Sequence, residues 1–234
     1  MINTSAFFDA SNWLVLVTAF SFYLTSTPPN RPLAESGQII KSTYEKTFLL
    51  RLLAHKMFVC SVCVMHIVSS FAGEDLGICT ARPSDRSSTG IVTPSTMMIT
   101  ATCVGLAMNA IRLWCFATLG DHFDFQVNVK KTHRLITSGP YSFVRHPSYT
   151  SGIGVWIAVS LVMFSEDHWF SQCVLQNMAG RVLGWVWLVE LAMLMHFVFV
   201  VRPKAEDQGL KGHFGKEWDE WATRVPYRIF PYIY

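Results

Sequence analysis

Two stretches of this 234-residue chain gather reactive side chains. The first reads His133-Arg134-Leu135-Ile136-Thr137-Ser138-Gly139-Pro140-Tyr141, followed by Arg145-His146-Pro147-Ser148-Tyr149. The second reads Arg202-Pro203-Lys204-Ala205-Glu206-Asp207, then Leu210, Phe214-Gly215, Trp218, Trp221 and Val225-Pro226-Tyr227-Arg228. Arg202 and Glu206 are four apart, so on a helix they share a face. A guanidinium there offers a planar fork of donors suited to a carboxylate, a geometry that lysine does not reproduce. Glu206 is able to accept from amino or hydroxyl donors, and its charge favours a cationic ligand. Each stretch also has a plainer reading. Tyr141 and Tyr149 are residue types of the membrane interface, with Arg145 and His146 as headgroup anchors. Arg202 and Glu206 then form only an i,i+4 surface pair.

Other polar groups invite less. Cys60-x-x-Cys63-x-x-His66 has metal-like spacing, but three ligands on one helix wind around it and lack a fourth, so no metal site is expected. Glu190 falls near the centre of an apolar run, where a charge needs a partner, and Arg112 or His196 is the expected one. Six cysteines lie mostly in apolar runs and are expected to be reduced and buried rather than paired.

The elements that must carry these residues are membrane helices. Apolar residues make up 51% of the chain and charged ones 15%, against roughly 25% charged in an average soluble domain. A span needs about 20 mainly apolar residues. Five stretches approach that: 6–24, 47–71, 94–119, 150–164 and 182–201. The fourth is short, and the second carries Arg51, His55 and Lys56 near its start, placed to snorkel. The N-terminal run has no basic n-region and reads as a retained span. Pro94 and Pro147 sit where helices begin, while Gly139-Pro140 marks a turn and Pro203 a kink or a new helical start.

With an odd number of spans, lysine and arginine set the orientation. Residues 25–46, 120–149 and 202–234 hold 13 of them, whereas the opposite loops hold only Arg82, Arg86 and Arg181. The first set is therefore expected in the cytosol. The fold class that follows is all-α: a polytopic membrane protein of about five helices with a cytosolic C-terminal region. Residues 1–119 form three N-terminal spans, and 120–234 form a hairpin of two spans with the motif-bearing segments. A net charge of +3, scattered along the chain, excludes a nucleic-acid footprint.

Together the two motifs resemble those of the isoprenylcysteine carboxyl methyltransferases and the related phospholipid N-methyltransferases. The resemblance covers roughly residues 120–234. It implies that S-adenosyl-L-methionine is the cofactor, bound by His133, Arg134, Leu135, Ile136, Tyr141, His146, Pro147, Ser148, Tyr149 and Glu206, with Gln126 as a further contact. Ile136 stands where valine is common and Asp207 where a second glutamate is usual, which matters only if that position makes a direct contact. Arg202 maps to the substrate carboxylate, and Arg202 and Glu206 carry the catalytic role.

The reaction so implied is methyl esterification of the C-terminal carboxylate of a prenylated cysteine in CaaX-processed proteins. The partners would be that prenylated terminus and the lipid bilayer, and the location the endoplasmic reticulum, with the site facing the cytosol. Two alternatives stand beside it: N-methylation of phosphatidylethanolamine, where an ammonium must first lose a proton to a base, and a non-enzymatic membrane interaction protein.

Overall fold

The computed structural model describes residues 9–29, 43–72, 79, 94–123, 125 and 134–233, with side chains of the second stretch from residue 47. Seven α-helices lie among them: α1 (Ala10–Thr25), α2 (Thr43–Ala72), α3 (Thr96–Leu119), α4 (Pro147–Met163), α5 (Met178–His196), α6 (Arg202–Phe214) and α7 (Lys216–Arg224). No strand occurs among the described residues. Among the described residues three helical runs are long and apolar enough to cross a membrane, Thr47–Ala72, Thr96–His122 and Met178–Phe214, while Ala10–Thr25 and Pro147–Met163 are shorter apolar helices.

The polar and apolar faces of α1 are inverted relative to a soluble helix. Ser11, Asn12, Thr18 and Ser21 are buried, while Trp13, Leu16 and Phe20 are exposed, Phe20 by 63%. Such a face is stable only against hydrocarbon, where packing and hydrogen bonds join helices and apolar side chains meet lipid. α5 agrees: Trp185 is 67% exposed and Trp187 buried.

Proline and glycine set the helix ends. Pro147 opens α4, where its missing N–H costs nothing. Ser95 precedes α3 and its hydroxyl accepts from the Met98 amide, so the helix starts two residues beyond Pro94. Helical structure runs from α5 into α6 across Pro203, and the turn before it, Phe197–Val201, is widened so that the Arg202 amide reaches the Phe197 carbonyl. That i→i−5 turn absorbs the register change that proline forces on a helix. The 37-residue run is about 55 Å long at 1.5 Å per residue, well beyond a 30 Å hydrocarbon core, so one end projects from it. α6 stops at Gly215, whose φ of 57° suits glycine and whose amide caps Lys211.

The chain divides into two compact units. One comprises residues 1–24, 53–107 and 154–191. There Gly105 lets α3 approach α4, because a Cβ at 105 would stand 3.0 Å from that of Ala158. Thr18 and Thr102 share a hydrogen bond, and the Trp187 indole donates to Ser160. His55, Phe58, Trp187 and Glu190 line a cavity of about 160 Å³ between α2 and α5. His66 and His168 are buried and stacked, each accepting a backbone amide at Nδ1.

Cys79 and Cys173 are joined by a disulfide in this unit, which corrects the expectation that all six cysteines are reduced. Cys79 lies between α2 and α3, and Cys173 lies in the short widened helical turn Phe170–Val174 between α4 and α5, whereas the four free cysteines lie within α2 and α3.

The second unit comprises residues 25–52, 108–153 and 192–234, and it contains the described residues of both motifs. Its apolar core joins Cys115, Tyr141, Trp221 and Val225, with Leu119, Leu135, Ile136 and Trp218 against them. The α7 indole of Trp221 donates to the Tyr141 carbonyl. One short helix thereby holds the turn that introduces the first motif.

Candidate functional site

A backbone clip assembles the site. The amides of Arg145 and His146 donate to the carbonyls of Tyr227 and Arg228, at 2.9 and 2.8 Å, and Thr150 donates through its hydroxyl to Ile229. The segment after α7 is thus tied to the start of α4. Arg145 adds a bond to the Val225 carbonyl and lies over the Trp218 ring.

Asp207 is the hub of this arrangement. Buried on α6, it accepts at Oδ2 from Arg145 (3.2 Å) and from Arg228 Nε (2.9 Å), and at Oδ1 from His146 Nε2 (3.0 Å). The other ring nitrogen of His146 stands 3.5 Å from Glu206 Oε2, which also accepts from the Tyr149 hydroxyl. His146 and Tyr149 stack nearly parallel, with centroids 5.4 Å apart, because residues three apart on a helical turn face the same side. Burial of His146 works against its charge, but Glu206 and then Asp207 outweigh it and raise its pKa to about 9. The ring is therefore an imidazolium at neutral pH.

Two guanidiniums lie alongside. Arg202, 4% exposed, donates to the Phe125 carbonyl and packs over the rings of Phe48, Tyr149 and Phe197. Arg112, 7% exposed, donates to the Ser148 carbonyl and stands over Phe116, Phe123 and Phe125. Gly152 makes room for it: a Cβ there would lie 3.3 Å from its terminal nitrogen. The two guanidiniums share Phe125, Arg112 over its ring and Arg202 bonded to its carbonyl. No carboxylate pairs with Arg112 among the described residues, and its Nε has no hydrogen-bond partner. Buried charges normally carry a counter-ion, so Arg112 is suited to an incoming anion.

Of the residues singled out from sequence, His146, Tyr149, Arg202 and Glu206 meet here, with Pro147 and Ser148 forming the start of α4 between them. Leu135, Ile136 and Tyr141 pack in or against the neighbouring apolar core, and Arg134 is exposed. His133 and Gln126 lie outside the described residues. Three residues were missed as site members: Arg112, Asp207 and Arg228. Arg112, one of the two partners expected for Glu190 beside His196, is held instead by Ser148 and aromatic rings. Its signal in the sequence was a guanidinium set seven residues before the end of an apolar helix and followed by Trp114 and Phe116.

The geometry defines a class first: a polytopic helical membrane protein in which a carboxylate–imidazolium cluster and two buried arginines meet at the ends of membrane helices. A sequence model described as the isoprenylcysteine carboxyl methyltransferase (ICMT) family matches residues 99–185. Through that region the chain is similar to the ICMT family. Arg112 and the Arg145–Tyr149 run fall within the match, and α6 lies beyond it. Protein-S-isoprenylcysteine O-methyltransferase B of Arabidopsis thaliana is 29% identical over 118 residues, 50% of each chain. The Homo sapiens protein-S-isoprenylcysteine O-methyltransferase is 32% identical over 111 residues, 47% of this chain and 32% of that one. A Delta(14)-sterol reductase of Mus musculus is 30% identical over 101 residues, 43% of this chain and 20% of that protein. These matches span half or less of each relative's own length.

Proposed function

We propose that this protein is an S-adenosylmethionine-dependent methyltransferase that esterifies the C-terminal carboxylate of a prenylated cysteine in CaaX-processed proteins. The observation that carries the reading is the pair of buried guanidiniums, Arg112 and Arg202, arranged around Phe125 with no carboxylate on Arg112. An anionic acceptor supplies what Arg112 lacks. Phosphatidylethanolamine N-methylation calls for a base to take a proton from an ammonium. The histidine of this cluster is already protonated and held by two carboxylates, so it does not serve.

The residues fit the cofactor. Glu206 is 30% exposed on its side chain, and with Oε2 taken by Tyr149 and His146 it presents Oε1 to donors such as an amino group or ribose hydroxyls. When bound, S-adenosylmethionine supplies a methyl group on a positively charged sulfur. The acceptor carboxylate, with a pKa of about 3.3 to 3.7, is already ionised at neutral pH. Glu206 would hold that methyl donor, which would give its methyl group to the carboxylate oxygen, and no residue would need to take a proton. The task of the protein is positioning, with two reactants brought into line from different phases. Arg202 and Arg112 orient the carboxylate. Part of their donor capacity is spent on the Phe125 and Ser148 carbonyls, which limits stabilisation of the ground state relative to a transition state in which the carboxylate loses charge.

A membrane setting suits this acceptor, since each buried CH₂ of a prenyl chain contributes about 0.8 kcal/mol. Orientation has two supports: the lysine and arginine bias of the loops, and the Cys79–Cys173 disulfide between the two loops assigned to the opposite side. Both are consistent with a site facing the cytosol, and the family resemblance suggests the endoplasmic reticulum. The sterol reductase among the relatives provides a second reading, reduction of a sterol. A neutral sterol nucleus has no group for the arginine pair.

An acceptor panel separates these readings. Membranes carrying the protein, given radiolabelled S-adenosylmethionine, should label farnesylcysteine and not its C-terminal amide. Equal labelling of acid and amide would remove the carboxylate reading.

A further inference from the structure

Glu206 and Asp207 are adjacent on α6 yet have opposite surroundings. Asp207 is buried, with Arg145 and Arg228 on one oxygen and His146 on the other. Glu206 keeps one oxygen open. Consecutive helix residues point about 100° apart, and the imidazole of His146 fills the angle between them. For both ring nitrogens to face carboxylate oxygens as donors, the ring must carry both protons. The groups facing it are Glu206 and Asp207 from α6 and Tyr149 from α4, with Arg145 and Arg228 reaching it through Asp207.

We propose that Asp207 is a positioning residue: by holding His146 as an imidazolium it fixes the ring that, together with Tyr149, aims Glu206 Oε1 at the cofactor. This rests on the reading of the site as a pocket for S-adenosylmethionine. The Arg228 bond and the clip from residues 225–229 make the segment after α7 part of the same device. Loss of the Asp207 charge would leave His146 free to lose a proton and turn, and Glu206 would lose its guide. Binding of the cofactor should suffer more than turnover of what is bound.

The test uses the full chain in detergent with histidine rings labelled by ¹³C and ¹⁵N, the His146 signal being assigned by its absence in His146→Gln. In the unsubstituted protein that ring should stay doubly protonated through pH 8. In Asp207→Asn it should titrate at a lower pH, and in Asp207→Glu the high value should return. Alongside, the Kd for radiolabelled S-adenosylmethionine should rise about tenfold in Asp207→Asn, equivalent to about 1.4 kcal/mol, with kcat changed less than KM and the alkaline limit of binding moved down. His146→Gln should weaken binding similarly and abolish that limit, and the double substitution should cost little more than either single one.

Identical His146 titration in Asp207→Asn and the unsubstituted protein would overturn the proposal. So would unaltered cofactor affinity and pH profile in His146→Gln, a variant that answers the question even if Asp207→Asn does not fold. Failure of the unsubstituted protein to bind S-adenosylmethionine, with the His146 shift intact, would overturn the cofactor reading and the aiming role with it, while leaving the Asp207–His146 pairing in place.

Discussion

His146 Nε2 meets Asp207 Oδ1 at 3.0 Å while its Nδ1 stands 3.5 Å from Glu206, so one imidazole spans two carboxylates of adjacent residues on α6. This relationship joins the two motifs, and it fixes a charge that neither motif reveals alone.

A pH dependence of stability follows. The pKa of His146 in the folded protein, about 9, lies above its ordinary 6.5. The stabilisation is therefore fully present below pH 6.5 and lost as pH rises through about 9. Thermal unfolding in detergent should show a midpoint falling across that window, and His146→Gln should flatten the fall. A decline of the same size in His146→Gln would place its origin elsewhere.

The arginines should separate stability from activity. Arg202→Lys keeps the charge but loses the fork and much of the stacking on Phe48, Tyr149 and Phe197, so KM for the acceptor should rise about tenfold or more. Arg112→Leu removes a buried charge that has no carboxylate. Its midpoint of unfolding should be unchanged or higher, as is often found when buried ions give way to apolar residues, while activity is lost. Loss of stability together with retained activity would assign Arg112 a purely structural role.

Reduction of the Cys79–Cys173 bridge, which closes a sequence separation of 94, should destabilise the protein by about 2–4 kcal/mol. Its accessibility also reports orientation. In sealed microsomes a membrane-impermeant reductant and maleimide should leave both cysteines unmodified, and detergent should expose them. Labelling of the two in sealed vesicles would reverse the assigned sidedness.

Much of this was legible in the sequence, for physical reasons. Membrane helices announce themselves by apolar length, and proline reports where a helix starts, as Pro147 did. What stayed hidden depends on facing rather than on type. Arg112 sits in an apolar run that equally suits a counter-ion for Glu190, and only the close approach permitted by Gly152 turns it to Ser148. Asp207 reads in sequence as a shortened glutamate that matters only if it makes a direct contact, and the three donors on it are a matter of facing. Cys79 and Cys173 are 94 residues apart, and no spacing rule relates them. Pro203 pointed to a kink or a new helical start, and α6 does begin at Arg202, joined to α5 through the widened turn at Phe197–Val201.

The most direct test of carboxyl methylation is the chemical nature of the bond formed. Membranes carrying the protein are incubated with S-adenosylmethionine labelled in its methyl group and with farnesylcysteine, and the product is treated with base. Release of the label as volatile methanol, lost in Arg202→Ala and Glu206→Ala, is the predicted result. Base-stable label found in phospholipid, with no methanol released, would contradict it.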